Sequence, residues 1–407
     1  MKIGYLSFRI AGNDGVSLEA VRWRKILKRM GHKVVFVAGE LDRRGILIPE
    51  LHFTNPSVNE VHREVVDNHI SYRKMEKKIY ELAGKIEGVL REEFINNKFD
   101  ALIVANVFSL PIHFPLAVAL SRVIEDLKIP TIAKHHDFWW ERKRYLRSGC
   151  FEFFRKFFPP VSPLIKHVTI NSISAGELKK RAGVESTVIG DCFDFNNPKA
   201  YKNGFSQQWR KDFGISKNDI VFLQATRIVP RKKIELSIEL VAKLNDPRVI
   251  LVLAGRHGDE SGDYEGDLRN LVETKKIRAV FIGDRVEANR MVIDGKRSYT
   301  LWDCFHNCDL MTYPSDVEGF GNQFIEAIYF RVPVFINRYK VYRTDLEKLG
   351  FKTISINGKV TDKAVEQVRQ VLADKKKAKK MTDTNFEIAS KYFSYEAVEE
   401  KLKTLGF

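Results

Sequence analysis

The amino-acid sequence predicts an α/β chain built from two Rossmann-like, doubly wound domains that face each other across a cleft. Three observations carry this expectation. Short apolar runs alternate with segments of helical period along most of the chain. The alternation stops in an Asn-, Phe- and Gly-rich stretch, "CFDFNNPKAYKNGFSQQW" (192–209), and then restarts. A length of 407 residues favours two or three domains over one.

The elements follow in order. "KIGYLSF" (2–8) reads as a buried first strand that ends in the glycine-containing loop "RIAGNDGVS". Residues 17–31 place apolar side chains at helical spacing and end at Gly31, a C-cap. "HKVVFVAG" (32–39), "FDALIVAN" (99–106), "PTIAKHHD" (130–137), "HVTINS" (167–172) and "STVIGD" (186–191) read as further strands, with helical patterns between most of them. This alternation implies a parallel sheet covered on both faces and a first domain over 1–191. Residues 192–215 are expected to be the linker. The second domain, 216–385, contains the strands "DIVFLQAT" (219–226), "RVILVLAG" (248–255), "RAVFIGD" (278–284), "DLMTYPS" (309–315) and "VPVFIN" (332–337). Helices are expected at 232–245, near 300–307 and from about 321. A helical tail, 386–407, turns near Ser394. Ligands of such sheets bind beyond the carboxyl ends of the strands.

Composition narrows the class. Apolar residues make up 44% and charged residues 29%, which fits a globular chain. No run of 18 apolar residues is present, and the N-terminus lacks a signal-peptide cleavage site. Lys and Arg outnumber Asp and Glu by 68 to 52, a net charge of +16 that attracts anions. Cys150, Cys192, Cys304 and Cys308 show no metal-like pairing, so a reducing cytosol is the expected compartment. Aromatic residues do not interleave with the basic runs, so no nucleic-acid partner is expected.

Four constellations point to chemistry. In "SDVEGFGNQFIEA" (315–327) a strand end passes into a helix. Gly319 and Gly321 permit close backbone approach, and the first helical N–H groups, around Gly321, Asn322 and Gln323, favour a diphosphate. Glu326 suits ribose hydroxyls and Glu318 suits sugar hydroxyls. In "QATRIVPRKK", Arg227 and Lys232 follow the strand at 219–226 and could stabilise charge on a leaving diphosphate. In "AKHHDFWWER", His136 and Asp137 stand at a strand exit, where His136 could bond a sugar hydroxyl. Trp139 and Trp140 either stack on sugar or belong to the core. Arg142, Lys143 and Arg144 suit an anionic acceptor or form a solvated charge run. In "AGNDGVSLE", Gly12 and Gly15 mark the first strand-to-helix turn; neither G-x-G-x-x-G nor a Walker loop is present.

Together these residues resemble the retaining family-4 glycosyltransferases of GT-B architecture. The E-x7-E motif is Glu318 to Glu326 in "EGFGNQFIE", which also carries Gly319, Phe320, Gly321, Asn322 and Gln323. R-x4-K is Arg227 to Lys232, and "HD" is His136-Asp137. "NDGVSLE" matches the family's N-terminal loop, with Gly15 in place but without the commoner adjacent glycine pair. The resemblance implies a nucleotide-sugar donor on the second domain and an acceptor on the first. It implies transfer with retention and no obligatory metal. The backbone of Arg285 and Val286 would hold the base. His136, Arg227, Lys232 and Glu318 are the implied catalytic set.

The expected reaction moves a hexose from GDP-mannose or UDP-glucose to a hydroxyl of a small, anionic acceptor, such as a phosphorylated sugar or a glycerate derivative. A lipid-linked or polysaccharide acceptor at a membrane surface is the less favoured alternative, with 74–98 as the candidate surface helix. A sugar phosphorylase and a non-catalytic sugar- or anion-binding module are the readings from other classes.

Overall fold

The computed structural model of the chain describes residues 1–12, 14–147, 149–197, 204–256 and 262–407. Position 13 of the first glycine loop and positions 198–203 of the expected linker lie outside the described residues. The chain divides into two compact units, Met1–Asp191 with Glu396–Phe407, and Cys192–Tyr395.

The first unit holds seven strands: β1 (Lys2–Ser7), β2 (Lys33–Ala38), β3 (Gly45–Leu47), β4 (Ala101–Ala105), β5 (Thr131–His135), β6 (Ile165–Thr169) and β7 (Ser186–Val188). They pair in the order β3-β2-β1-β4-β5-β6-β7, and every pairing is parallel. The central strands "ALIVA" and "TIAKH" are buried along their whole length, as a sheet covered on both faces requires. Helix α1 (Gly15–Arg29) buries Ala20, Trp23, Ile26 and Leu27, the one-face spacing of an amphipathic helix. It starts two residues before the expected position because the Asp14 carboxylate accepts from Val16 and Ser17 N–H. Helices α2 (Pro56–His62), α3 (Tyr72–Asn97) and α4 (Phe114–Leu127) follow. α3 turns Ile79, Ala83, Ile86, Leu90 and Phe94 into the core and packs on α4. The apolar face of the candidate membrane helix is therefore already covered by protein.

The second unit holds β8 (Ile220–Gln224), β9 (Val249–Leu253), β10 (Ala279–Phe281), the antiparallel hairpin β11 (Met291–Ile293) and β12 (Lys296–Ser298), then β13 (Leu310–Tyr313), β14 (Val334–Asn337) and β15 (Ile354–Ile356). Its six-stranded sheet runs β10-β9-β8-β13-β14-β15, again parallel throughout. The hairpin and β15 are absent from the sequence reading. The hairpin had a signal, Asp294-Gly295 between two short runs, and both residues adopt positive φ. Phe193 and Phe195, in the stretch read as linker, pack inside this unit against Tyr329. A single helix, Lys375–Phe393, runs through the expected boundary at 385, and Ser394 breaks it from the helix Tyr395–Thr404.

Candidate active site

Each sheet reverses its winding at one point, and the crevice there is where ligands of doubly wound folds bind. In the second unit that point lies between β8 and β13. Thr226 and Arg227 follow β8, and the loop 314–321 follows β13, so topology brings the R-x4-K and E-x7-E segments to the same edge. The turn Pro230–Lys232 is stitched to the loop by Asp316 N–H on the Arg231 carbonyl (2.9 Å) and by Arg231 Nη1 on the Val317 carbonyl (3.2 Å).

Lys232 Nζ is paired with the Glu318 carboxylate, and the two side chains are only 7% and 10% exposed. Arg231 Nη1 stands 3.7 Å from the same carboxylate. Burial pushes the Lys232 ammonium below its ordinary range, Glu318 opposes that, and Arg231 and Arg227 add to it. Burial alone would raise the Glu318 carboxyl. The Lys232 charge and hydrogen bond, the Ser315 hydroxyl and Arg231 outweigh it and hold the group below its ordinary range. Glu318, expected to face sugar hydroxyls, is bound to the lysine expected to face phosphate. Arg227 is exposed at the same strand edge.

Gly321 takes φ 129, a region closed to residues with a Cβ, and a Cβ there would come within 2.7 Å of the Tyr339 hydroxyl. That hydroxyl donates to the Phe320 carbonyl at 2.6 Å, so Tyr339 fixes the glycine turn from beneath. Tyr313, whose ring lies under Lys232 Nζ at 5.8 Å, is fully buried; burial first and then Glu318 push its phenol far upward. Asn322 and Gln323 open the helix Asn322–Tyr329, whose N-cap, Gly321, supplies no side-chain cap. Glu326 lies buried one turn further along. Arg285 and Val286 follow β10, two strands away. Their amides are bonded to Ile282 and Gly283, and the Arg285 guanidinium is held by Asp212 and the Arg297 carbonyl. Their backbone is thus engaged within the unit.

In the first unit the winding reverses between β1 and β4. Gly15 begins α1 there, and the Asp14 carboxylate occupies the neighbouring amides. His136 follows β5, and its backbone N–H and Nδ1 lie 2.8 and 3.1 Å from Asn106 Oδ1. Burial, and then the Lys134 charge, depress the His136 imidazole to about 4. Trp139 and Trp140 are core residues: Trp139 Nε1 donates to the Phe158 carbonyl, and Trp140 stacks on Phe138. Neither ring has an open face for stacking on a sugar. Arg142, Lys143 and Arg144 are exposed, with Arg142 bonded to Asp137 at 2.8 Å.

The sequence reading missed the buried ion pair behind this edge. Lys134 Nζ and Glu19 Oε1 meet at 2.9 Å with no exposure on either side. Asp191, buried beside them, is pushed up to about 7 by burial and by the Glu19 charge. A lysine inside the apolar run "TIAKH" was the available signal, because a buried lysine requires a partner. Among the described residues, no group of three or more His, Cys, Asp or Glu is arranged to hold a metal, and no helix is long and apolar enough to cross a membrane.

The family model described as "Glycosyl transferases group 1" matches residues 205–387. The chain is 32% identical to a mannosylglucosylglycerate synthase of Thermotoga maritima, over 99% of both chains. It is 34% identical to a mannosylglucosylglycerate synthase of Petrotoga mobilis, over 92% of this chain and 94% of that protein. Among solved structures, Anabaena HepE in complex with UDP and glucose superposes with a TM-score of 0.66 at 16% identity, over 100% of this chain and 99% of that one. These relatives lend no support to a phosphorylase, a non-catalytic module or a lipid-linked transferase. With two full-length relatives above 30% identity and two doubly wound units of GT-B type, the chain belongs to the glycosyl transferases group 1 and is a hexosyltransferase of the family-4 type.

Proposed function

We propose that the chain transfers mannose from GDP-mannose, with retention and without an obligatory metal, to a hydroxyl of a glucosylglycerate-type acceptor. UDP-glucose is the second donor candidate. The observation that carries the donor half is the convergence of Arg227, Arg231 and Lys232 with the glycine turn and helix start at 319–323, all at the β8/β13 crevice. Cations and amides there suit a diphosphate. The acceptor half is supported by the names of the full-length relatives and by the exposed Arg142, Lys143 and Arg144 on the first unit, which suit a carboxylate.

In this reading the bond from the hexose C1 to the diphosphate oxygen breaks as C1 bonds to the acceptor oxygen, and the departing diphosphate takes the acceptor's proton. Lys232 and Arg227 stabilise the charge left on the diphosphate, Glu326 holds the ribose, and Glu318 orients the sugar and Lys232. The test incubates purified protein with GDP-mannose or UDP-glucose and glucosylglycerate, with and without EDTA. Nucleoside diphosphate release and the anomeric configuration of the product are followed by NMR. Retained product that forms equally in EDTA is expected. An inverted product, or no transfer from either donor, overturns the proposal.

A further inference from the structure

The Asn106–His136 contact contains more chemistry than its distances suggest. A backbone amide can only donate, so the Asn106 atom 2.8 Å from His136 N–H must be the carboxamide oxygen; the orientation of this amide is therefore fixed by chemistry. The same oxygen lies 3.1 Å from His136 Nδ1. An oxygen with lone pairs cannot face a bare ring nitrogen across that distance as a bond, so Nδ1 carries the proton. A neutral imidazole then has Nε2 as a lone-pair acceptor. Nε2 is buried and has no hydrogen-bond partner among the described residues. Asn106 is itself specialised for the position: it follows β4 directly at φ 61, a conformation that Asn tolerates better than most residues. Its amide is held by the Lys134 carbonyl at 2.9 Å, which ties it to the strand that carries His136.

We infer that Asn106 is a positioning residue that locks the His136 proton on Nδ1 and so presents Nε2, beyond the carboxyl end of β5 and next to the strand that borders the winding reversal, as an acceptor for a substrate hydroxyl. The charges facing the ring are Lys134 and Asp137 on its own strand and its exit, and Glu19 and Asp14 on and before α1. Burial first, and then the Lys134 charge, disfavour an imidazolium, so the ring acts as a fixed acceptor and not as a proton shuttle at neutral pH. The substrate half of this inference rests on the proposed hexosyl transfer; the tautomer half does not.

Full-length protein labelled with 15N-histidine tests both halves, with the His136 signals identified by their loss in His136→Gln. At pH 7.5 Nδ1 should show a protonated, pyrrole-type shift and Nε2 an unprotonated, pyridine-type shift. Asn106→Gly keeps the positive φ and deletes the oxygen. It should release the ring to a mixture dominated by Nε2–H and raise KM roughly tenfold with a smaller change in kcat, the scale of one lost hydrogen bond. Asn106→Asp restores the oxygen. It should recover the Nδ1–H form and most of the KM, with the ring titrating at higher pH because a carboxylate now faces it. Saturating GDP-mannose, UDP-glucose or glucosylglycerate should move the Nε2 resonance upfield. A protonated Nε2 in the unmodified protein, or an unaltered tautomer in Asn106→Gly, overturns the assignment. An Nε2 resonance that none of the three compounds moves overturns the substrate contact. Failure of transfer with the tautomer as described removes the proposed reaction and leaves the role of Asn106 standing.

Discussion

Lys232 and Glu318 cannot be judged one at a time. Removing either leaves a buried, uncompensated charge, which typically costs about 3–5 kcal/mol. Lys232→Ala should therefore lose both turnover and stability, and the activity loss alone would be uninformative. The paired variant Lys232→Met with Glu318→Gln removes both charges. It should regain most of the urea-unfolding midpoint while turnover stays at least a hundredfold down, the scale of one charge-stabilising group. Recovery of turnover together with stability would assign the pair a purely structural role. Gly321→Ala meets both a forbidden φ and the Tyr339 hydroxyl. A loss of roughly 1–3 kcal/mol is expected, read as a lower melting temperature. At this scale the sequence was partly legible. The identities and spacing of Arg227, Lys232, Glu318 and Glu326 could be read from motifs. That Lys232 and Glu318 bind each other, and that Tyr313 and Tyr339 lie beneath the glycine turn, depends on residues distant in sequence and carries no local pattern.

Among the elements, the strands with continuous apolar runs and the helices with one apolar face were readable, because burial leaves direct marks on composition and period, whereas the Asp14 cap that starts α1 was not read. The three-residue strands β3 and β15 were not read; β7 and β10 are as short, but lie in the longer runs "STVIGD" and "RAVFIGD" that marked them. Helix α3 shows why an amphipathic pattern is ambiguous: a face that could meet lipid and a face that meets α4 have the same spacing. With that face already packed, vesicles of anionic lipid should not retain the protein in a flotation assay. Leu90→Ala should instead destabilise it by roughly 2–5 kcal/mol, as cavity formation in a core does. Retention on vesicles with unchanged stability in Leu90→Ala would show that the face is free. Similarly, the lysine within β5 stands opposite a carboxylate from α1, and this pairing fixes the helix against the strand whose end carries His136.

Over the whole molecule, acidity is the condition that exposes the cost of these arrangements. Burial holds the imidazoles of His113, His136 and His167 down to about 4, and that of His135 well below its usual value, against about 6.5 in an unfolded chain. Between pH 6.5 and 4 the unfolded chain binds protons at these sites that the folded chain refuses, so stability falls as pH falls. Asp191 works in the opposite sense. With its folded value at about 7, the folded chain keeps a proton that the unfolded chain has released above about pH 4, so this group removes stability as pH rises towards 7. Four histidines outweigh one aspartate, and the melting temperature should drop steeply from pH 7 to pH 5. Asp191→Asn should raise stability at pH 8 by about 2–4 kcal/mol and have little effect at pH 4. An equal effect at both pH values would show that Asp191 is ionised in the folded protein.

The last twelve residues, Glu396–Phe407, are counted with the first unit, where Glu396 and Glu399 hold Arg29 of α1 and Lys401 reaches the Val188 carbonyl. The polypeptide therefore crosses between its two halves twice, at 191/192 and at 395/396. A protease nick at the first crossing would leave both halves tethered by the second. An isolated amino-terminal fragment expressed as residues 1–191 would lack its closing clasp; grafting 396–407 back through a short flexible linker is the way to obtain that half as a free-standing protein.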